Sequence, residues 1–163
     1  METKIIYRNK FFQIIIAILL PLILGWIGSL SATRYKEPWY TRLQRPAYTP
    51  PDIVFPLVWT SIYVMIGYAS YRVYEKGYEL GRAQGPLLLY FVHLLFNITW
   101  TTSFFYFHFI GFATIHIIII FILLVFTGLL FYRIDKIAGI LFVPYGLWVA
   151  FASAVCVAIF RMN

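Results

Sequence analysis

Phe112 to Phe131 reads FATIHIIIIFILLVFTGLLF, an apolar run without a single charged residue. About 20 such residues, wound as a helix, span the hydrocarbon core of a bilayer. On its N-terminal side a tight link, His108 to Gly111, leads back to another run, Pro86 to Phe107, and before that lie Pro50 to Tyr74 and Phe11 to Leu30. On its C-terminal side the polar link Tyr132 to Lys136 leads into Ala138 to Phe160. The whole chain shares this character: of 163 residues, 62% are hydrophobic and 12% charged, where a soluble domain has about half apolar and a quarter charged. The solvent for most of this surface is therefore lipid, and no separate soluble domain fits. Backbone groups cannot be left unpaired in hydrocarbon, so five spans imply five helices. The reading is an all-α integral membrane protein, a single five-transmembrane-helix bundle over residues 1–163. Its helices fall at about 11–30, 50–74, 86–107, 112–131 and 138–160, with 31–49 as first loop.

The formal charge of +7 sits in the short segments between the runs, which makes it a set of membrane anchors and topology signals rather than a nucleic-acid footprint. Counted by side, Lys and Arg divide eight against five, and the N-terminus is expected inside. The basic head Lys4, Arg8 and Lys10 before the first run also resembles a signal peptide, with Ser29-Leu30-Ser31 as a cleavage candidate. The run is about twice the usual h-region length, so a retained helix is expected. Thr49, Pro50, Pro51 and Asp52 read as the capped start of the second helix, and Arg72 near its end as a snorkelling cation. Pro21, Pro56 and Pro144 interrupt spans. The third run, the most polar, is expected to face inward, and the fourth to face lipid most. Gly146, Ala150, Ala154 and Ala158 make a smooth ridge for close helix packing, and Ala17, Pro21, Gly25 and Ser29 make a similar ladder on the first helix.

No span holds Asp, Glu or Lys in its interior, which argues against a proton- or sodium-driven pump. His93 and His116 are the interior titratable groups, and structural hydrogen bonding is the simpler role for both. The lone Cys156 excludes a disulfide framework and a thiolate zinc cluster; no metal site is expected. The first loop, SATRYKEPWYTRLQRPAYT from Ser31 to Thr49, sets Trp39, Tyr40 and Tyr48 among Arg34, Lys36, Arg42 and Arg45. It reads equally as an interfacial aromatic belt or as a lid over a pocket between the helices. Trp59, Tyr63 and Gly67 share one helix face, His93, Asn97, Trp100 and Phe104 another, and Trp148 lies near Tyr145, Ala152 and Val155 on a third. Were these faces to converge, they would wall a cavity for a flat hydrophobic ligand; helix-packing aromatics alone would give the same stripes.

At these residues the sequence resembles the tryptophan-rich sensory protein/translocator protein family (TspO/MBR), once called the peripheral benzodiazepine receptor. The stretches that carry the resemblance are PWYTRLQRPAYTPPDIVFPLVWTSIYVMIGYAS from Pro38, FNITWTTSFF from Phe96 and DKIAGILFVPYGLWVAFAS from Asp135. The resemblance implies a five-helix bundle, commonly a homodimer. It implies a membrane receptor or sensor that binds protoporphyrin IX and haem-like tetrapyrroles and drug-like ligands, with the first loop as cover and no obligatory cofactor. It places ligand contacts at Tyr40, Trp59, Asn97, Trp100, Tyr145 and Trp148, and links light-dependent porphyrin degradation to Trp59 and Trp148. With the residues of the stripes and loop, the candidate ligand-binding set is Trp39, Tyr40, Trp59, Tyr63, His93, Asn97, Trp100, Tyr145, Trp148 and Ala152. The alternative is a transporter of porphyrins or other lipophiles. The chain departs from the family at Tyr48, a frequent tryptophan, and at Cys156, a common asparagine. Val157 stands where the sterol-recognition pattern requires tyrosine, whereas Val64, Tyr68 and Arg72 fit that loose pattern on the second helix.

Overall fold

The computed structural model describes residues 9–78 and 80–163; Lys4 and Arg8 of the basic head lie outside them. The elements are α1 (Lys10–Tyr35), α2 (Trp39–Arg42), α3 (Val54–Gly77), α4 (Gln84–Thr101, running on as a π-helical segment Thr102–Tyr106), α5 (Ile110–Ile134), α6 (Lys136–Ile140) and α7 (Phe142–Met162). Among the described residues, five stretches are long and apolar enough to cross a membrane: α1, α3, α4 with its π segment, α5, and α6 with α7. Bulky apolar side chains such as Ile16, Trp26, Leu57, Leu88, Leu95, Phe112, Phe126 and Leu147 stand exposed around the bundle. In water they would be an aggregation hazard; in lipid they are the expected outer surface.

Local chemistry sets the ends. Asn9 caps α1 through a 3.1 Å bond from the Phe11 amide to its Oδ1. α1 runs on to Tyr35, so the first loop is shorter than its sequence suggests, and its middle coils into the single turn α2. The second span begins at Val54, not Pro50, without a side-chain cap. Thr49 bonds back to the Pro46 carbonyl, and Asp52 turns to Lys36 instead of to the helix end. Pro56 and Pro144 fall in the first turns of α3 and α7, where a missing N–H costs little; only Pro21 lies in a helix interior.

Helices in lipid gain no hydrophobic drive from meeting one another and associate through close packing and hydrogen bonds. The ladder on α1 does this within the chain. A Cβ at Gly25 would overlap the Tyr63 ring, and one at Gly67 would lie 2.6 Å from the Ala17 carbonyl oxygen, so α1 and α3 are seated backbone against side chain at Gly25 and backbone against backbone at Gly67. α1 also meets α4: Thr101 Oγ1 donates to the Gly28 carbonyl at 2.5 Å, and Ser31 and Thr102 hydroxyls pair at 3.0 Å. On the far side α5 packs on α4, α6 and α7, with Gly128 against Phe142.

Three expectations change. The fourth run does not face lipid most: 44% of its most apolar window is buried, against 11% for the first span, because α5 is gripped by α4, α6 and α7. The ridge on the last helix is not a close-packing seam of the bundle: Ala150 and Ala154 are exposed, Gly146 and Ala158 are half-buried, and a Cβ at Gly146 would make only ordinary contact with the Leu124 side chain, at 3.5 Å. Arg72 does not snorkel. Its guanidinium clasps Asp135 through Nε (3.1 Å) and Nη2 (2.9 Å), Lys76 pairs with the same carboxylate, and Asp135 Oδ1 caps α6 by accepting from the Ala138 amide at 2.9 Å. Asp135 is 2% exposed, and the Arg72 guanidinium holds its carboxyl well below the usual carboxylate range. This clasp ties α3 to the α5–α6 corner.

Candidate functional site

Between α1, α3, α4, α5 and α7 lies a cavity of about 460 Å³, within the size range of small-molecule sites. Its walls are overwhelmingly apolar. Trp59 and Tyr63 come from α3 and stack with centroids 5.6 Å apart. Trp100 from α4 lies nearly parallel to Phe104 at 5.3 Å and is pinned by its indole N–H, which donates to the Ala113 carbonyl at 2.9 Å. Trp148 from α7 packs between Phe55 and Phe151, each at 5.8 Å. Its Nε1 is buried and has no hydrogen-bond partner among the described residues. A buried indole donor without an acceptor is costly unless something else supplies one.

One wall is braced by a polar chain. Tyr63 Oη donates to Asn97 Oδ1 at 2.8 Å, Asn97 Nδ2 donates to Tyr145 Oη at 2.8 Å, and Tyr145 Oη lies 2.8 Å from His93 Nε2. The orientation that uses every hydroxyl proton sends the Tyr145 proton to Nε2, which leaves His93 carrying its proton on Nδ1. Three helices are thereby locked by groups that would be expensive to bury unpaired.

The first loop closes one end. Tyr40, 7% exposed, packs on Phe104 and Phe105, and Lys36, Pro50 and Asp52 join it in the cavity lining. The loop is fastened to the end of α7, where Gln44 and Asn163 exchange two hydrogen bonds, 3.0 Å and 2.9 Å. Of the residues singled out from sequence, Tyr40, Trp59, Tyr63, Asn97, Trp100, Trp148 and Ala152 line this cavity. Three do not. Tyr145 and His93 stand behind Asn97 as its support, both fully buried. Trp39 turns the other way, stacking on His108 at 4.2 Å and edge-on to Phe104. His93 and His116 do not meet; His116 Nδ1 is 3.1 Å from the Ser103 hydroxyl. A second cleft, between Leu95, Phe96, Phe112 and Ile115, opens on the lipid-facing side of α4 and α5.

Sequence reasoning passed over Phe55, Phe151, Lys36 and Asp52 as lining residues. The first two were within reach of helical spacing: Phe55 precedes Trp59 by four and Phe151 follows Trp148 by three. Lys36 and Asp52 carry no such signal, because a fold in the loop brings them together.

Fold and cavity define a multi-pass helical membrane protein with an aromatic ligand-sized chamber beneath a tethered loop. Residues 17–162 match the TspO/MBR family, and the chain belongs to that family. It is 33% identical to the tryptophan-rich protein TspO of Chlorobaculum tepidum over 156 residues, covering 96% of this chain and 99% of that one. It is 33% identical to the tryptophan-rich sensory protein of Cereibacter sphaeroides (85% of each chain). With the translocator protein of Homo sapiens the identity is 32%, over 77% of this chain and 75% of that one.

Proposed function

We propose that this chain is a membrane receptor or sensor that binds a tetrapyrrole of the protoporphyrin IX or haem type, or a drug-like molecule of similar flatness, in the cavity under its first loop. The observation that carries the reading is the convergence of Trp59, Trp100 and Trp148 from three helices on one apolar chamber. Flat rings stack on such faces, and the free Trp148 N–H and the Asn97 amide supply the few polar contacts that orient a ligand in an apolar site. The ligand-binding set is Tyr40, Trp59, Tyr63, Asn97, Trp100, Trp148 and Ala152, with Tyr145 and His93 positioning Asn97. Trp59 and Trp148 both line the cavity, and we attach light-dependent porphyrin breakdown to them as a secondary activity that needs no resident cofactor. A homodimer belongs to the same reading, with the outward Ala150 and Ala154 of α7 available for contact.

Titration of the purified protein with protoporphyrin IX tests this. Indole emission is expected to quench saturably, and the Trp59→Phe/Trp148→Phe pair to lose most of the quenching and all light-dependent loss of the porphyrin. Undiminished degradation in that double variant would reject the role given to the two indoles.

A further inference from the structure

We propose that Tyr145 and His93 form a proton-coupled electron relay behind Trp59, which refills the Trp59 indole after it has given up an electron and so spares that ring from irreversible oxidation. The inference rests on the reading that light-driven breakdown of a bound porphyrin runs through Trp59, and adds the groups that restore the indole.

Trp59 lines the chamber, and its ring meets that of Tyr145 edge-on, with centroids 6.0 Å apart. At such contact an electron crosses directly, so the fate of the proton decides whether it moves. A phenol gives up an electron readily only when its proton leaves at the same time; otherwise a strongly acidic radical cation must form where no water can accept from it. Tyr145 Oη lies 2.8 Å from His93 Nε2, the nitrogen free to take that proton, and both residues are 0% exposed. Asn97 Nδ2 donates to the same oxygen at 2.8 Å and remains to hold it once the proton has gone. Tyr63 stacks on Trp59 at 5.6 Å, but its hydroxyl donates to an amide oxygen, Asn97 Oδ1, which is too weak a base to take the proton. Base strength, not distance, therefore selects Tyr145. Phe55 and Phe151, which flank Trp148, carry no hydroxyl, so they give that indole no such service.

The step balances. A photo-excited porphyrin takes one electron from Trp59, leaving an indole radical cation and a porphyrin radical anion. One electron then passes from Tyr145 to Trp59 as the Tyr145 O–H bond breaks and its proton bonds to His93 Nε2, which leaves a neutral indole, a neutral tyrosyl radical and an imidazolium. The buried positive charge is moved rather than created, so no second charge has to be desolvated. His93 Nδ1 has no acceptor among the described residues, which makes the imidazolium poorly held. The proton returns to Tyr145 when the electron comes back from the porphyrin.

Flash excitation of the full chain in detergent with protoporphyrin IX bound, followed by transient absorption and electron paramagnetic resonance, tests the relay. In the unaltered chain an indole radical should convert to a tyrosyl radical, more slowly after exchange into D2O, a comparison that needs no variant. Tyr145→Phe should lose the tyrosyl signal, prolong the indole radical and, under steady light, accumulate oxidised Trp59 in peptide mass spectra. His93→Gln, which keeps an acceptor for the hydroxyl but no base, should also lose the tyrosyl signal. A tyrosyl signal that survives in Tyr145→Phe, or a conversion indifferent to both D2O and His93→Gln, overturns the relay alone, as does an indole radical that never converts. Bound porphyrin that yields no indole radical overturns the photochemical role of Trp59 together with it.

Discussion

Replacing Tyr145 by Phe removes one oxygen atom and leaves the ring, so packing against Trp59 and Phe142 survives while the polar chain is cut at its centre. Two buried groups lose their partner: Asn97 Nδ2, which donates to that oxygen, and His93 Nε2, which faces it. An orphaned buried polar group costs about 1–3 kcal/mol, and because the two share one partner, a total of about 2–4 kcal/mol is expected rather than a full sum. Tyr145 and His93 are both 0% exposed, so bulk water does not reach His93 Nε2 to compensate. Freed from Tyr145, the Asn97 amide can turn within the cavity wall, so affinity for a ligand it orients should fall several-fold with stability. The assay is unfolding in detergent micelles for Tyr145→Phe, Asn97→Leu and the pair together. Removing both partners is cheaper than removing either twice, so the pair should cost about 1–2 kcal/mol less than the sum of the single changes. A Tyr145→Phe variant within about 0.5 kcal/mol of the parent, or strict additivity in the pair, would refute the claim that this chain of bonds holds the wall.

Gly67→Ala should destabilise by about 1–3 kcal/mol, because its Cβ meets the backbone of Ala17 and Ile18, which cannot rotate away; thermal unfolding in micelles checks it, against Gly85→Ala, where the surroundings are open. Asp135→Ala should cost about 3–5 kcal/mol, since it leaves Arg72 without its carboxylate and α6 without its cap. The folded carboxyl of Asp135 titrates below its unfolded value. The unfolded chain therefore binds more protons in acid, and the stabilisation is complete above the ordinary carboxylate range and drains away between about pH 5 and pH 1. Asp135→Asn should flatten that part of the stability–pH curve, and an unchanged slope would contradict the clasp. Cutting the loop tether with Asn163→Ala should leave the fold intact while speeding porphyrin dissociation in stopped-flow quenching, because Gln44 loses both of its bonds.

The fold was legible because hydropathy alone counts membrane spans: runs such as Phe112 to Phe131 have no other solution. Burial within the bundle was not legible for the same reason. α5 is apolar on every side, so its sequence cannot distinguish a lipid face from a helix face, and its position at the centre of the packing emerges only from its neighbours. Polar residues told more. Asn97, Tyr63 and His93 lie on stripes that converge, because polar groups in hydrocarbon must find one another. The small-residue ladders split: that on α1 receives the Tyr63 ring and the α3 backbone, whereas on α7 Ala150 and Ala154 face outward, and spacing is identical in both cases. The Arg72–Asp135 clasp escaped notice because Asp135 sits in a short polar link that reads as solvent-exposed. Its burial depends on α3 reaching the same level of the membrane as the α5–α6 corner.

The most direct measurement is a structure of the protein with protoporphyrin IX bound. The account predicts the macrocycle inside the chamber, in contact with Trp59 and Trp148 and beneath Tyr40. A porphyrin found only in the outer cleft beside Leu95 and Phe112, with the chamber collapsed onto its own side chains, would contradict it.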